Sequence, residues 1–242
     1  MKNLKFMGWL MLTVISALFT ACDDNDGYSI GDLGADWVTV KVSAGSAYSF
    51  VGDDWGTMWP AVMPPWNYNP QDGDRAVLYF NPLQDDFSGY DLAIKPVRII
   101  PILTKQVEEL TEENEEEYAD HPTYMTDAWI SGGYMNILFF QAQPYEKAHR
   151  VSLVRNTTKE NEDDGYVHLE YRYNTYGDTL SNRRVDGAVS YNLSSLDLTE
   201  KKGIKMRINS AVNGERILTF NKQIEGKPSE NKENISSELK IK

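Results

Sequence analysis

Short runs in which apolar and polar residues alternate dominate the first half of the chain. Alternation with a period of two is typical of β-strands that have one buried face. Four runs are predicted strands: 37–42, 47–51, 75–80 and 91–103. The third is predicted to end at Asn81-Pro82, and Pro96 and Pro101 in the fourth mark bends or edge positions because proline cannot donate to a ladder. Short, bent strands without helices between them predict a small barrel or sandwich.

The second half has the same pattern, with turn residues at regular spacing. The predicted strands are 124–130, 134–140, 149–154, 166–173, 185–191, 203–209 and 215–220. Residues 134–140 are apolar enough to form a central strand that is covered on both faces. Turns at 132–133 and 213–214 join two predicted hairpins. This succession of strands and turns predicts an antiparallel sandwich.

An acidic run separates the two β-rich halves. Between residues 104 and 122 it carries eight carboxylates: Glu108, Glu109, Glu112, Glu113, Glu115, Glu116, Glu117 and Asp120. So dense a block of like charge cannot enter a core, because burying an unpaired carboxylate is very unfavourable. We therefore expect a solvent-facing connection over 105–121. It would contain a short helix that Thr111 caps, with Glu112 and Glu113 in the first turn.

The first residues have the pattern of an export signal. Lys2 and Lys5 precede an apolar segment, 6–18, which is too short to cross a hydrocarbon core of about 30 Å. We expect residues 1–21 to be removed as a signal peptide. Cys22 follows a small residue, an arrangement that resembles a bacterial lipobox, in which the cysteine thiol is acylated by fatty acids such as palmitate. The alternative is cleavage by an ordinary signal peptidase, which leaves Cys22 as an unmodified thiol.

Cys22 is the only cysteine in the chain, so it has no disulfide partner there, and lipid attachment accounts for it. Several acyl chains on one cysteine anchor a protein firmly, since each buried CH₂ contributes about 0.8 kcal/mol. The acidic residues at 23–26 resemble a signal that sends lipoproteins of some Gram-negative anaerobes to the cell surface. The alternative is a solvated tether over 22–35. We expect a lipid-anchored outer-membrane protein that is exposed at the cell surface.

The net charge of the chain is −12 at pH 7. An acidic surface repels phosphate backbones and releases no counterions on contact with them, so we expect no nucleic-acid partner. Anionic lipid headgroups are disfavoured for the same reason. We expect membrane contact to run through the lipid on Cys22 alone, and we expect a monomer.

Four aromatic residues lie close together between the second and third predicted strands. Trp55, Trp59, Trp66 and Tyr68 fall in one segment that is rich in proline and other turn residues. Exposed aromatic rings stack on sugars, so the segment is a candidate glycan-binding site. The alternative is a structural plug that closes one end of a small barrel. Residues 72–74 resemble part of a calcium loop, but the other ligands are missing and a turn is the better interpretation.

The sequence lacks the common catalytic motifs. His121, His149 and His168 are far apart, and none lies in a pair with metal-ligand spacing, so structural histidines are favoured over metal ligands or acid–base groups. No serine lies in a G-x-S-x-G elbow, and no phosphate-binding loop is present. We expect no catalysis, no metal and no cofactor. Residues 178–180 resemble an O-glycosylation motif of exported proteins, which makes Thr179 a candidate modification site.

Several segments together resemble the NigD-like lipoproteins. In the C-terminal module of that family the similar segments are 128–137 (AWISGGYMNI), His149 and 191–196; in the N-terminal module they are 37–40, 59–60 and 72–75. The resemblance covers nearly the whole chain after the predicted signal peptide. It implies an OB-like β-barrel followed by a β-sandwich on a lipidated N-terminus. The family takes its name from a bacteriocin operon, and its molecular role is not established.

We therefore predict an all-β protein, a small OB-like β-barrel followed by an antiparallel β-sandwich with a short acidic helical connection. The predicted segments are signal peptide 1–21, acidic tether 22–35, barrel 36–104, acidic linker 105–121, sandwich 122–224 and mobile polar tail 225–242. The expected function is non-enzymatic recognition or scaffolding, with a glycan or an envelope protein as partner. Alternatives are a glycan-binding lipoprotein that uses the aromatic segment, a bacteriocin-system accessory or immunity protein, and a hydrolase with a pair of carboxylates.

Overall fold

The computed structural model describes residues 28–29, 31–43, 47–62, 68–160, 162–178 and 181–222. In chain order the strands are β1 (Gly34–Val42), β2 (Tyr48–Gly52), β3 (Thr57–Pro60), β4 (Arg75–Phe87), β5 (Tyr90–Gln106), β6 (Glu108–Leu110), β7 (Tyr124–Ser131), β8 (Tyr134–Ala142), β9 (Arg150–Asn156), β10 (Tyr166–Asn174), β11 (Arg184–Asn192), β12 (Gly203–Ser210) and β13 (Gly214–Asn221). The described residues contain one helix, α1 (Glu115–Tyr118). The predicted signal peptide, Cys22 and the polar tail lie outside the described residues. The chain divides into two compact units, the first ending at Pro101 and the second beginning at Ile102.

The first unit contains a closed five-stranded barrel. β1 pairs antiparallel with both β2 and β4, and β2 pairs antiparallel with β3. β3 then pairs in parallel with β5, where Met58 lies opposite Leu92, and β5 neighbours β4. The order β1-β2-β3-β5-β4 closes on itself, as it does in five-stranded OB barrels. The prediction of a small OB-like barrel is confirmed.

Alternation along these strands builds the barrel core, because successive side chains of a strand point to opposite faces. The buried cluster consists of Val38, Val40, Tyr48, Phe50, Met58, Ala76, Leu78, Phe80, Leu92 and Ile94. β1 starts at Gly34, ahead of the predicted strand at 37–42. A Cβ atom at Gly34 would lie 2.7 Å from the ring of Phe80. Glycine therefore lets the start of β1 pass directly over that ring.

The third predicted strand is longer than the sequence pattern indicated. Asn81 and Pro82 do not end it, since β4 continues to Phe87 before the turn that leads into β5. The pairing of β1 with β4 starts at Gly34 opposite Phe80. Beyond Phe80, β4 therefore has no ladder partner from β1, and a proline there leaves no ladder bond unmade on that side.

The second unit is a sandwich of two sheets. One sheet has the order β5-β11-β8-β7, in which residues 103–106 at the end of β5 pair with β11. The other has the order β13-β12-β10-β9-β6. Both the predicted sandwich and its strands are confirmed. Three of the pairings are parallel: β5 with β11, β6 with β9, and β10 with β12. β12 is parallel to β10 because the chain visits the other sheet as β11 before it returns.

The core of the second unit is built by alternating positions of both sheets. Its buried members are Met135, Ile137, Phe139, Val151, Leu153, Leu169, Tyr171, Tyr173, Val189, Tyr191, Leu193, Ile204, Met206 and Ile208. Even-numbered residues of β10 and odd-numbered residues of β12 face the other way, and these positions are mostly polar. The five-stranded sheet thus has one apolar face in the core and one polar face.

The acidic run is part of the second unit, whereas we expected a solvent-facing linker. Its residues 108–110 form β6, which pairs with β9, and Leu110, Tyr118 and Val154 make a small buried cluster. The helix begins at Glu115, later than expected, and Asn114 precedes it. The run lies on the sheet because Leu110 and Tyr118 are buried there. Its carboxylates point outward or form ion pairs with cations.

Candidate functional site

The aromatic segment of the first unit does not form a single platform. Trp55 lies in the turn after β2, is 38% exposed, and meets the ring of Phe80 edge-on with centroids 5.3 Å apart. Trp59 lies on β3, is partly buried, and its ring centroid is 5.2 Å from that of Tyr90. The two tryptophans therefore pack against different neighbours.

Tyr68 has a third neighbour. Its ring meets Tyr48 edge-on at 5.5 Å and packs against the barrel core. Burial raises the pKa of the Tyr68 hydroxyl to about 12. Trp66 lies outside the described residues. Among the described residues of this segment, Trp55 is exposed, whereas Trp59 and Tyr68 are partly buried.

A buried carboxylate positions the turn that carries Trp55. The Asp54 and Trp55 N–H groups both donate to Asp36 Oδ2, at 3.0 and 3.1 Å. Burial of Asp36 raises the pKa of its carboxyl to about 6, although the two N–H donors oppose that shift. The turn conformation is thus linked to an ionisable group in the barrel wall.

Cations on β9 of the five-stranded sheet form ion pairs with the acidic run. Arg150 forms ion pairs with Glu108 and Glu117, and its guanidinium lies 4.5 Å from the ring centroid of Tyr118. Arg155 pairs with Glu109 at 2.8 Å. These contacts explain how so acidic a segment can lie against the sheet. Charges that would repel one another are partly neutralised by arginines on β9.

A second set of charges is more deeply buried. Glu170 forms an ion pair with Arg172 and accepts a hydrogen bond from Asn156 Nδ2 at 2.9 Å. Arg207 pairs with Asp120 at 2.7 Å, and with Glu215 at the same distance. Glu170 and Arg172 are only 8% and 4% exposed. Since each charge has an opposite partner, this network holds the acidic run and three strands together.

The three histidines occupy separate places in the second unit. His121 Nδ1 accepts the Thr175 N–H at 3.1 Å, and His168 Nε2 lies 3.0 Å from Asp164 Oδ1. His149 Nδ1 lies 2.5 Å from the Tyr173 hydroxyl, and its Nε2 lies 3.0 Å from the backbone oxygen of Asp178. In the part of the chain that the structure describes, no group of three His, Cys, Asp or Glu side chains is arranged to hold a metal.

His149 has a defined tautomer because a backbone carbonyl can only accept. Its Nε2 must therefore carry the proton that is donated to Asp178 O, which leaves Nδ1 to accept from the Tyr173 hydroxyl in the neutral ring. The histidine thus connects β10 to the loop after it. Its ring nitrogens are both occupied in this arrangement.

Asp178 organises the loop between β8 and β9. Its Oδ2 accepts three backbone N–H groups, from Tyr145 at 2.7 Å, Glu146 at 2.7 Å and Lys147 at 3.1 Å. The Glu146 and Lys147 N–H groups lower the pKa of this carboxyl. We call this arrangement the Asp178 cradle. Asp178 opens the predicted glycosylation motif, and Thr179 itself lies outside the described residues.

Aromatic and basic side chains are exposed around the cradle. Tyr145 is 77% exposed, and Phe140, Tyr176 and Tyr124 are 41%, 37% and 36% exposed. Lys147 Nζ lies 3.4 Å from the ring centroid of Tyr176, and the Arg184 guanidinium lies 4.3 Å from that of Tyr124. We call the following set the loop-end surface: Tyr124, Phe140, Tyr145, Lys147, Tyr176, Arg183 and Arg184.

Sequence reasoning missed the loop-end surface. Its members come from β7, β8, β11 and two loops, and only strand pairing brings them together. The available signal was the repeated occurrence of a tyrosine beside a turn residue, Pro144-Tyr145 and Tyr176-Gly177, with cations nearby. That pattern is common in loops, so it did not identify a site.

Two family models match the chain. Residues 37–100 match the NigD-like N-terminal OB domain, and residues 106–222 match the NigD-like C-terminal beta sandwich domain. A comparison with curated proteins found no match. Among the described residues, no helix has the length and apolar character needed to cross a membrane.

Solved structures share the fold over most of their length. A protein of unknown function from Bacteroides vulgatus is 26% identical, with a TM-score of 0.72 over 81% of this chain and 93% of that one. A NigD-like immunity protein from Bacteroides caccae is 14% identical, with a TM-score of 0.57 over 81% of this chain and 100% of that one. A candidate lipoprotein from Bacteroides fragilis is 13% identical, with a TM-score of 0.58 over 80% and 100%.

Proposed function

Because the chain belongs to the NigD-like family, whose two domain models together match most of it, we propose that it is a non-enzymatic, lipid-anchored protein of the cell surface. Its barrel and sandwich serve recognition or scaffolding, and it acts as a monomer without nucleic acid or cofactor. The lipid is carried by Cys22 in the outer membrane. The leader pattern ahead of Cys22 supports the anchor, as does the fold shared with a candidate lipoprotein.

One observation carries the non-enzymatic part of the proposal. Two groups suited to acid–base chemistry, His149 and Glu170, are committed to structural contacts. Both ring nitrogens of His149 hold a strand to a loop, and the Glu170–Arg172 pair lies in a charge-compensated network on the sheet. A general acid or base needs a free hydrogen-bonding position that faces a substrate. The exposed aromatic and basic side chains instead favour binding of a partner.

Metabolic labelling tests the anchor. Cells that express the full chain are grown with an alkyne analogue of palmitate, and the purified protein is examined for label and for intact mass. We expect label on the parent protein, no label on Cys22→Ala, and loss of residues 1–21. Proteinase treatment of intact cells should remove the protein from the surface. An unlabelled parent protein that retains its leader would contradict the proposal.

Glycan binding is a second candidate, favoured by the partly exposed Trp59–Tyr90 pair. The two rings are tilted by 39°, and partly exposed aromatic rings are suited to sugar binding. Trp59→Ala should then abolish retention on a glycan array while the variant remains folded by circular dichroism, whereas Tyr68→Phe should leave retention intact. Absence of retention of the parent protein on every arrayed glycan would exclude this candidate.

A role as a bacteriocin-system accessory or immunity protein is favoured by the fold shared with a NigD-like immunity protein. Deletion of the gene should then make cells more sensitive to bacteriocin-producing neighbours, and expression of the full chain should restore resistance. Equal killing of deletion and parent strains would contradict this role.

A further inference from the structure

We propose that the turn between β4 and β5 in the first unit faces the bilayer that holds the lipid on Cys22. The proposal rests on the lipid anchor proposed above, and it adds which surface of the barrel lies against the membrane. Three observations support it: the direction in which the chain enters the barrel, two contacts that hold the entering segment on β4, and the short distance from these contacts to Cys22.

The direction of entry follows from strand pairing. β1 pairs antiparallel with β4, and the first pair in that ladder is Gly34 opposite Phe80. In an antiparallel pair, the chain that precedes one strand runs toward the end of the other. The residues before Gly34 therefore lead along the last part of β4, residues 81–87, toward the turn into β5.

The contacts of the described residues in this segment follow that path. The side-chain amide of Asn81 donates to the backbone oxygen of Asp32 at 2.5 Å. The Tyr28 hydroxyl donates to Asp85 Oδ1 at 2.6 Å. Asp32 and Tyr28 thus lie beside successive parts of β4, in antiparallel order. Because Asp85 is two residues from the end of β4, Tyr28 is held next to the turn.

The chain between Tyr28 and the proposed lipid is short. Six residue steps, from 22 to 28, separate Cys22 from Tyr28, and a chain extends by at most about 3.6 Å per residue. Cys22 therefore cannot lie more than about 20 Å from Tyr28. Without the two contacts the chain would leave the barrel at Gly34, which is twelve steps from Cys22, and the limit would be about 40 Å. The contacts thus bring the β4–β5 turn toward the membrane.

The charge of this end of the barrel fits a bilayer that the turn faces without entering. Carboxylates at this end include Asp32, Asp85, Asp86 and Asp91. Burial of such groups among lipid tails would be very unfavourable. A distance of up to about 20 Å leaves room for water between the turn and the headgroups. The lipid on Cys22 therefore remains the part that enters the bilayer.

The Trp59–Tyr90 pair lies at the same end of the barrel. Tyr90 is the first residue of β5 and follows the turn directly, and its ring centroid is 5.2 Å from that of Trp59. The orientation therefore places these partly exposed rings on the membrane side of the barrel. A ligand of the pair would be bound between the barrel and the bilayer.

Energy transfer to a labelled membrane tests the proposal. The acylated full chain is bound to phosphatidylcholine vesicles that contain a rhodamine-labelled lipid. Acylation occupies the Cys22 thiol, so a donor dye attaches to one introduced thiol, either Ser88→Cys in the turn or Gln71→Cys ahead of β4. We expect transfer from position 88 to be at least about twofold stronger, because the length of β4 separates the two positions by up to about 40 Å.

Removal of the two contacts provides the second measurement. Tyr28→Phe combined with Asn81→Ala removes both donors, so transfer from position 88 should fall toward the value from position 71. Tyr90→Phe removes a tyrosine hydroxyl at the same end of the barrel and is the matched control, which should leave the transfer unchanged. Circular dichroism checks that each variant is folded.

Three other outcomes would contradict the proposal at different points. Equal transfer from positions 88 and 71 in vesicle-bound protein, or stronger transfer from position 71, would overturn the orientation and leave the lipid anchor standing. Strong transfer from position 88 that the double variant retains would overturn the role of the Tyr28 and Asn81 contacts. Protein that does not float with the vesicles would contradict the anchor and the orientation together.

Discussion

Arg75 and Asp53 form a bidentate ion pair in the wall of the barrel. Arg75 Nη1 lies 2.9 Å from Asp53 Oδ1, and Arg75 Nη2 lies 2.6 Å from Asp53 Oδ2. The arginine is fully buried, and Thr39 Oγ1 accepts a further hydrogen bond from it at 3.1 Å. Asp53 stands at the start of the turn after β2, and Arg75 is the first residue of β4. The pair therefore links the turn that carries Trp55 to a central strand.

Removal of one partner of this pair should lower the free energy of unfolding far more than removal of both. Asp53→Ala leaves a buried guanidinium without its carboxylate and should lower the free energy of unfolding by about 3–5 kcal/mol. Arg75→Met combined with Asp53→Leu should lower it much less, because no uncompensated charge remains. Urea denaturation of the three proteins measures the difference. Equal losses in the single and double variants would show that the pair does not act as a unit.

The barrel should become less stable as Asp36 ionises. The pKa of this carboxyl is about 6 in the folded protein against an ordinary value near 4 in the unfolded chain. The folded state therefore binds the proton more tightly, so protonation favours folding. The stabilisation is complete below about pH 4 and is lost as the pH rises to about 6. It amounts to about 3 kcal/mol.

Asp36→Asn should remove this pH dependence. Its amide oxygen can still accept the two N–H groups of the turn, so we expect the variant to be at least as stable as the parent at pH 7. Thermal unfolding between pH 4 and pH 7 compares the two proteins, and a carbon-13 titration of Asp36 gives its pKa directly. A variant that is much less stable than the parent at pH 7 would mean that the carboxylate is needed in its charged form.

The acidic run should contribute to the stability of the second unit. Leu110 is fully buried against Val154 and Tyr118, and Leu110→Ala should lower the free energy of unfolding by about 2–5 kcal/mol. Glu112→Ala, at an exposed position two residues later, is the matched control and should have little effect. If Leu110→Ala is also neutral, the run behaves as a linker after all.

The Asp178 cradle should control the mobility of the loop that carries Tyr145. Asp178→Ala removes the acceptor of three backbone N–H groups, so we expect faster hydrogen exchange at Tyr145, Glu146 and Lys147. The lowered pKa of Asp178 implies that its ionised form favours the folded loop. This stabilisation is present above an ordinary Asp pKa and is lost as the pH falls through the lowered one.

Asp178→Asn serves as the comparison, because an amide oxygen can replace the accepting Oδ2. The exchange at the three loop amides should be slower than in Asp178→Ala. The stability of the loop in Asp178→Asn should no longer fall at low pH. Exchange rates at Val151 and Leu153, on the following strand, provide the internal reference. Unchanged rates at the three loop amides in Asp178→Ala would contradict the role of the cradle.

Local pattern was sufficient to predict every described strand except β3, which lies in the aromatic segment, and β6, which lies in the acidic run. Alternation at Val38 and Val40, and the apolar run at 134–140, follow from the requirement that one face of a strand be buried, and that requirement can be read from neighbouring residues. The end of β4 could not be predicted in the same way. Whether Pro82 is tolerated depends on whether β1 continues beside it, and that is a property of the pairing.

The acidic run shows the same division between local and long-range information. Its charge density indicates correctly that it cannot be part of an apolar core. It does not indicate that Arg150 and Arg155, some 40 residues later, supply the ion pairs that hold the run against β9. The partners of a charge are set by the fold and not by the neighbouring residues.

By itself the sequence determined the all-β class, most of the strands, and the resemblance to a two-module family, because these depend on short-range alternation and on motifs. Tertiary structure alone decided that Trp55, Trp59 and Tyr68 contact different rings. It also decided that Tyr124, Phe140, Tyr145 and Tyr176 share one surface. A surface is assembled by strand register and loop closure between residues distant in the chain, and neither leaves a local pattern.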